Sequence, residues 1–400
     1  MLFAIALALL EPYSFKTFDG RDVAAERGTV MVAESRAARE SARRKVAFVR
    51  LKSTAETPKV PIVFLMGGPG IPGSVMLRVP PYYDLFRKLT TVADVIVVDY
   101  RGVGMSEPLL DCKFPEAPTF AGERAMLDWL RANVRWCVAE WRKRGLDARD
   151  YSAESNADDL DDLRAALGVP KISLLAFSYG TDIALAAVQR HPEHLDRVVL
   201  ASVDSPDAGL KRPALWDLQL RRVAPELERS VRTMKRLDVQ TLLRTSMGSP
   251  RSFEPAAKAV EALARGDAAP FEAAMAKLAA GLQSSAMSIA IGCTRSQPPE
   301  RRARVSAEAK GAIFSEVNLQ WDESICREVV PEIPRAAPRI WSELPALFIS
   351  GALDANTPAS EAQEIRFGFP RGEHLIVEDG WHETLPMPAV QERVIEFLSR

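Results

Sequence analysis

Short apolar runs alternate with amphipathic stretches through the first half of the chain. Val60–Met66, Val92–Tyr100, Ile172–Ala176 and Arg197–Ser202 are short, apolar and rich in β-branched residues, the pattern of buried strands. Gly28–Val32 and Val46–Leu51 read as two further strands separated by a charged, turn-rich stretch. Helical spacing marks Tyr83–Leu89, Glu123–Arg144, Ala153–Leu167 and the segment from Tyr179 through His191. Ser155-x-x-Asp158 resembles a helix start. Strands that are apolar throughout, with helices between them, predict an α/β fold: a mostly parallel sheet covered on both faces. From Pro206 to Pro338 the rhythm changes to Ala, Leu, Arg and Glu at helical spacing, as in Phe253–Ala264 and Pro270–Ile291. It returns with Pro345–Ser350, Glu373–Val377 and a last helix over Pro388–Leu398. The expected organisation is a core built from residues 1–205 and 339–400, interrupted by a helical lid at 206–338.

Composition narrows the partners. A chain of 400 residues exceeds what one hydrophobic core usually supports, which fits a core with an insertion. The 52 basic and 53 acidic residues leave a formal net charge of −1. That balance argues against nucleic acid or an anionic membrane surface as the main partner. The cluster Arg301-Arg302-Ala303-Arg304 reads as a solvated helix end. There are four cysteines in no Cys-x-x-Cys pair and only four histidines, so no zinc site, other metal or cofactor is expected. The cysteines fall into an early and a late pair, and Cys112–Cys137 with Cys293–Cys326 is the simplest of three connectivities; four reduced cysteines is the alternative. Leu2 to Leu10 is long enough for a signal-peptide core but too short to span a membrane. No Lys or Arg precedes it, so a buried strand or helix is the competing reading. No other stretch is apolar enough for stable membrane insertion.

The residues with chemistry lie at strand ends. Ala176-Phe177-Ser178-Tyr179-Gly180 fits small-x-Ser-x-Gly between a strand and a helix. A serine there sits on a sharp turn, which needs small residues two before and two after it. A serine hydroxyl needs a base. His191 and His194, at the far end of the following helix, read as surface or capping residues, and His374 as structural. His382, in the loop after the last strand, is the expected base. Asp354, after the preceding strand, is the expected acid that orients it, with Asp379 the alternative. Backbone N–H groups of Tyr179 and Gly68 are the expected oxyanion donors, with Gly67 the alternative to Gly68.

Taken in order, Gly67-Gly68-Pro69-Gly70, Asp99-Tyr100-Arg101-Gly102-Val103-Gly104-Met105-Ser106 and Ser178-Tyr179-Gly180-Thr181 resemble the proline iminopeptidase and tripeptidyl aminopeptidase group of α/β-hydrolases. Glu26-Arg27-Gly28 and Phe48-Val49-Arg50-Leu51 resemble the start of its secreted branch. The resemblance implies an α/β-hydrolase fold and a Ser/Asp/His triad that releases residues from peptide N-termini. It also implies oxidised cysteines and a secreted or periplasmic location, with a cytoplasmic one the alternative. Met66 stands where many relatives have His, and Ala176 where Gly is usual. A substrate with a free amino end needs carboxylates at the lid–core junction; Asp204, Asp207 and Glu323 are the candidates. An esterase or other small-molecule hydrolase on the same scaffold, and a non-catalytic binding protein, are the competing functions.

Overall fold

The computed structural model describes residues 9–38, 40–115, 120–281, 286–337 and 339–400. The N-terminal apolar run lies outside them as far as residue 8, as do residues 282–285 and Pro338. Nine strands form one sheet: β1 (Leu10–Lys16), β2 (Asp22–Ala33), β3 (Arg43–Leu51), β4 (Ile62–Leu65), β5 (Val95–Asp99), β6 (Ile172–Phe177), β7 (Leu195–Ala201), β8 (Ala346–Gly351) and β9 (Gly372–Val377). Their order is β1-β2-β3-β5-β4-β6-β7-β8-β9. The first three strands and the β3–β5 pair are antiparallel; from β5 through β9 every pair is parallel.

Alternation along each central strand divides its side chains between two cores. Val63, Leu65, Leu174, Ala176, Val198 and Phe348 pack on one face, and Ile62, Phe64, Leu175, Phe177, Val199 and Ile349 on the other. Every residue of β4, β5, β6 and β8 is buried, which is why these strands carry no polar alternation. The central elements match the sequence reading closely. β1 does not: its edge position leaves it mostly exposed or half-buried, so no apolar run announces it. The helix read over Ala153–Leu167 spans Ala153–Ala166, but its cap is Ser152 rather than Ser155, because the Ser152 hydroxyl accepts the Ser155 N–H.

Between β7 and β8 the chain is helical, with Pro213–Val223, Leu237–Ser246 and Pro250–Ala264 among its helices. The helical spacing over Pro270–Ile291 corresponds to Ala269–Gly281 and Ala286–Thr294, on either side of residues outside the described ones. The insertion has its own core of Trp216, Leu220, Leu243, Phe253 and Phe314, and this core also takes in Ala355 and Trp381 from the loops after β8 and β9. Disulfides join Cys112 to Cys137 and Cys293 to Cys326, separated by 25 and 33 residues. Loops of that length restrict the unfolded chain by about 3–4 kcal/mol each. Reduction should therefore shift the urea unfolding midpoint to a clearly lower concentration, as followed by circular dichroism. Among the described residues no helix is long and apolar enough to cross a membrane.

Candidate functional site

The parallel strands end level with one another, and the loops at their carboxyl ends converge. The β6 residues Ala176 and Phe177 pair with Leu65 of β4 and Ala201 of β7, and Ala201 pairs with Ile349 of β8. Open α/β sheets bind ligands along this edge. Ser178 follows β6 directly and opens the helix Tyr179–Arg190. Its backbone is held at φ 53° and ψ −126°, a region that disfavours non-glycine residues and costs about 1–3 kcal/mol. The surroundings enforce the turn. A Cβ on Gly180 would lie 2.2 Å from the Leu65 carbonyl oxygen, and one on Gly67 would lie 2.6 Å from the Ser178 Cβ. Both positions therefore need glycine, and the loop after β4 runs against Ser178.

The Ser178 Oγ is 3.0 Å from His382 Nε2, and His382 Nδ1 is 2.8 Å from Asp354 Oδ2. Asp354 is buried and fully engaged. Its Oδ1 accepts the N–H groups of Asn356 at 2.8 Å and Thr357 at 3.0 Å, and its Oδ2 accepts the Thr357 hydroxyl at 2.5 Å. One carboxylate oxygen thus closes the turn and the other faces the imidazole. Burial weighs most on both ionisable groups and opposes their charges, but their mutual attraction and hydrogen bonds outweigh it. The Asp354 carboxyl is held below its usual range and the His382 ring above its own. A hydroxyl, imidazole and carboxylate linked in this order can move a proton from oxygen to ring and stabilise the resulting cation.

The other histidines are engaged elsewhere. His191 contacts Asp158, His194 lies against Asp161, and His374 bonds Gln363 and Ser350. Asp379 is exposed. Asp204 is buried between Lys211 Nζ at 2.6 Å and Arg295 at 3.0 Å. Burial is the largest influence on its carboxyl, yet the two cations prevail and hold it well below the usual range. Asp207 is exposed and accepts the Ala337 N–H at 2.9 Å. Glu323 is paired with Arg302 and Arg327 at the start of the helix Glu323–Val329. None of these three carboxylates lines the cavity of about 200 Å³ beside His382, which is bounded by Lys211, Trp216, Arg244, Trp321 and Asn356 among others.

Several residues that hold this geometry escape the sequence reading. Ser202, at φ 53° after β7, donates its hydroxyl to the His382 carbonyl oxygen at 2.5 Å. Gly351 lets the histidine loop close on β8, since a Cβ there would meet the Trp381 carbonyl oxygen at 2.3 Å. The Tyr100 hydroxyl donates to the Gly67 carbonyl oxygen at 3.2 Å and accepts the Gly70 N–H at 2.9 Å, pinning the glycine loop. Arg101 is buried and bidentate on Asp159. The segment Asp99–Ser106 is thus a structural tie between loops. The insertion reaches the same loops: Gln219 Oε1 accepts the Ala355 N–H at 3.3 Å, and the Gly248 carbonyl accepts the Glu383 N–H at 3.0 Å. Thr357, three residues after Asp354, is the one with a sequence signal, because an Asp commonly bonds backbone two or three residues onward.

The chain resembles known proteins at several levels. It is 30% identical over 167 residues to a tripeptidyl aminopeptidase of Streptomyces lividans, covering 38% of this chain and 30% of that protein. A proline iminopeptidase of Neisseria gonorrhoeae is 26% identical over 144 residues, covering 36% of this chain and 33% of that protein. The chain thus aligns with a third or less of each relative's length. A solved esterase from Thermogutta terrifontis matches 92% of this chain and 97% of its own at 16% identity and a TM-score of 0.43. Residues 60–386 match the family described as alpha/beta hydrolase fold. With more than half its length inside that match, and with the sheet and its helical insertion in place, the chain belongs to the α/β hydrolase fold family.

Proposed function

We propose that the protein is a serine hydrolase in which Ser178 attacks, His382 is general base and then general acid, and Asp354 orients the ring and balances its charge. The observation that carries this reading is the continuous chain Ser178–His382–Asp354, with contacts of 3.0 and 2.8 Å. The N–H groups of Tyr179 and Gly68 would hold the oxyanion. The support for Gly68 is its φ of +126° in a loop whose Gly67 abuts Ser178. Residues 206–338 would act as the lid, supported by the packing of the insertion onto Ala355 and Trp381.

The substrate reading favoured is a peptide cut near its free N-terminus, supported by the names of the aligned relatives. Asp204 could receive a substrate amine only by giving up one of its two cations. The described residues lining the cavity beside His382 include no carboxylate, which favours a second reading, an esterase or other small-molecule hydrolase. A panel of matched substrates with free and blocked amines separates the two. Faster cleavage of the free amines supports the peptidase, while cleavage of simple esters with intact peptides defeats it. The two disulfides support an oxidising, secreted or periplasmic location.

The same chemistry sets a pH dependence. The base must be neutral, and protonated imidazole cannot accept the Ser178 proton. Because the Asp354 carboxylate raises the His382 pKa despite burial, kcat/KM should fall on the acid side with a midpoint above the ordinary histidine value of about 6.5. A flat profile between mildly acidic and neutral pH would count against His382 as the base.

A further inference from the structure

The cavity beside His382 is unusual in what lines it. Lys211, Arg244, Trp216 and Asn356, all residues with hydrogen-bond donors, line it, and no Asp or Glu is among its described lining residues. It meets the imidazole at the reacting end, since Asn356 Nδ2 lies 3.3 Å from His382 Nε2. The donors are not equally free. Lys211 is matched by Asp204 at 2.6 Å. Arg244, on the helix Leu237–Ser246, is tied among the described residues through Nε, which donates to Glu316 Oε1 at 3.2 Å. Among the described residues its two terminal nitrogens have no partner, and its side chain is 19% exposed. The Trp216 indole N–H is buried and also lacks an acceptor among the described residues.

A buried donor left unpaired costs about 1–3 kcal/mol, so the Trp216 indole N–H, on a residue that lines this cavity, calls for an acceptor. A guanidinium with its Nη edge free is shaped for a carboxylate, which it can grip through two parallel bonds. Met247 and Val317 supply apolar wall on the same cavity. Burial is the largest influence on the Glu316 carboxyl and raises its pKa, against the pull of Arg244. Its Oε2 has no hydrogen-bond partner among the described residues.

Building on the Ser178–His382–Asp354 reading, we propose that this cavity is a specificity site for a substrate carboxylate close to the scissile bond, with Arg244 its principal ligand and Trp216 an auxiliary donor. Such a carboxylate can be the free end of a short peptide or an acidic side chain. In both cases the binding chemistry is the same, and it excludes uncharged analogues of equal size by leaving the guanidinium edge unpaired.

The test is competition against turnover of a neutral ester, p-nitrophenyl butyrate. N-acetylglycine and N-acetylglycinamide differ by one charge at a chain end. N-acetylglutamic acid α-amide and N-acetylglutamine amide differ by one charge on a side chain. The acid of at least one pair should compete roughly 10- to 100-fold better than its amide. Preference in the first pair alone assigns a chain end, and preference in the second alone assigns an acidic side chain. In the double variant Arg244→Gln/Glu316→Gln, which leaves no unpaired buried charge, the acid-to-amide ratio should collapse towards one. Arg244→Lys should recover part of it. Equal competition by acid and amide in both pairs, or a ratio unchanged in the double variant, overturns the proposal. Where the ester is not turned over, labelling of Ser178 by a fluorophosphonate decides the triad reading instead. Calorimetric titration of the same acids and amides into Ser178→Ala protein then decides the Arg244 site separately, with no preference for an acid again overturning it.

Discussion

Ser178→Ala should lower kcat by about 10⁵- to 10⁶-fold, the scale seen when a triad nucleophile is removed. The substitution deletes one oxygen and little else. The Ser178 backbone N–H donates to the Ala201 carbonyl oxygen at 2.9 Å, and the Ser178 carbonyl accepts the Thr181 hydroxyl at 2.6 Å. Both bonds survive in the alanine variant, so the strand–turn–helix junction should persist. The left-handed φ remains strained with alanine, hence unfolding stability should change little. Progress curves with a sensitive ester substrate and a matched denaturation series check the two halves of this expectation. A loss of activity accompanied by unfolding would point to a structural role for the hydroxyl.

Asp354→Asn should cost about 10⁴-fold in kcat with little change in substrate affinity. The reason lies in how the two carboxylate oxygens are used. Oδ1 accepts two backbone N–H groups, from Asn356 and Thr357, and an asparagine would keep its carbonyl oxygen there. Its amide nitrogen then replaces Oδ2, opposite His382 Nδ1 and the Thr357 hydroxyl. A donor facing Nδ1 forces that nitrogen to accept, which puts the ring proton on Nε2. The imidazole then has no lone pair for the Ser178 proton, and its cation loses its counter-charge. Steady-state kinetics read the loss, and the ring tautomer by nitrogen NMR should invert. Retention of near-normal kcat would mean that Asp354 serves only its turn.

The sequence carries the core of this site because the relevant constraints are local. Ser178 needs small neighbours at Ala176 and Gly180, and Asp354 and His382 each follow a recognisable apolar strand. The central strands are legible for the same reason: burial on both faces makes them apolar throughout. Elsewhere the deciding partner lies far along the chain. Asp204 looks available in sequence, but Arg295, 91 positions later, and nearby Lys211 already hold it. Ser202 gives no sign that it holds a loop 180 positions away. Arg244 sits on an amphipathic helix whose pattern tells which face is buried, not what the polar edge meets. Strand β1 is hidden because an edge strand needs no apolar run.

Covalent labelling reads whether the Ser178 hydroxyl is an activated nucleophile. The protein is treated with a fluorophosphonate at neutral pH, digested, and the modified peptide located by mass spectrometry. One stoichiometric adduct is expected on Ser178, slowed as pH falls through the His382 titration and absent from Ser178→Ala. An unlabelled protein that is folded and reacts at no serine, or an adduct on a different serine that survives Ser178→Ala, would contradict it.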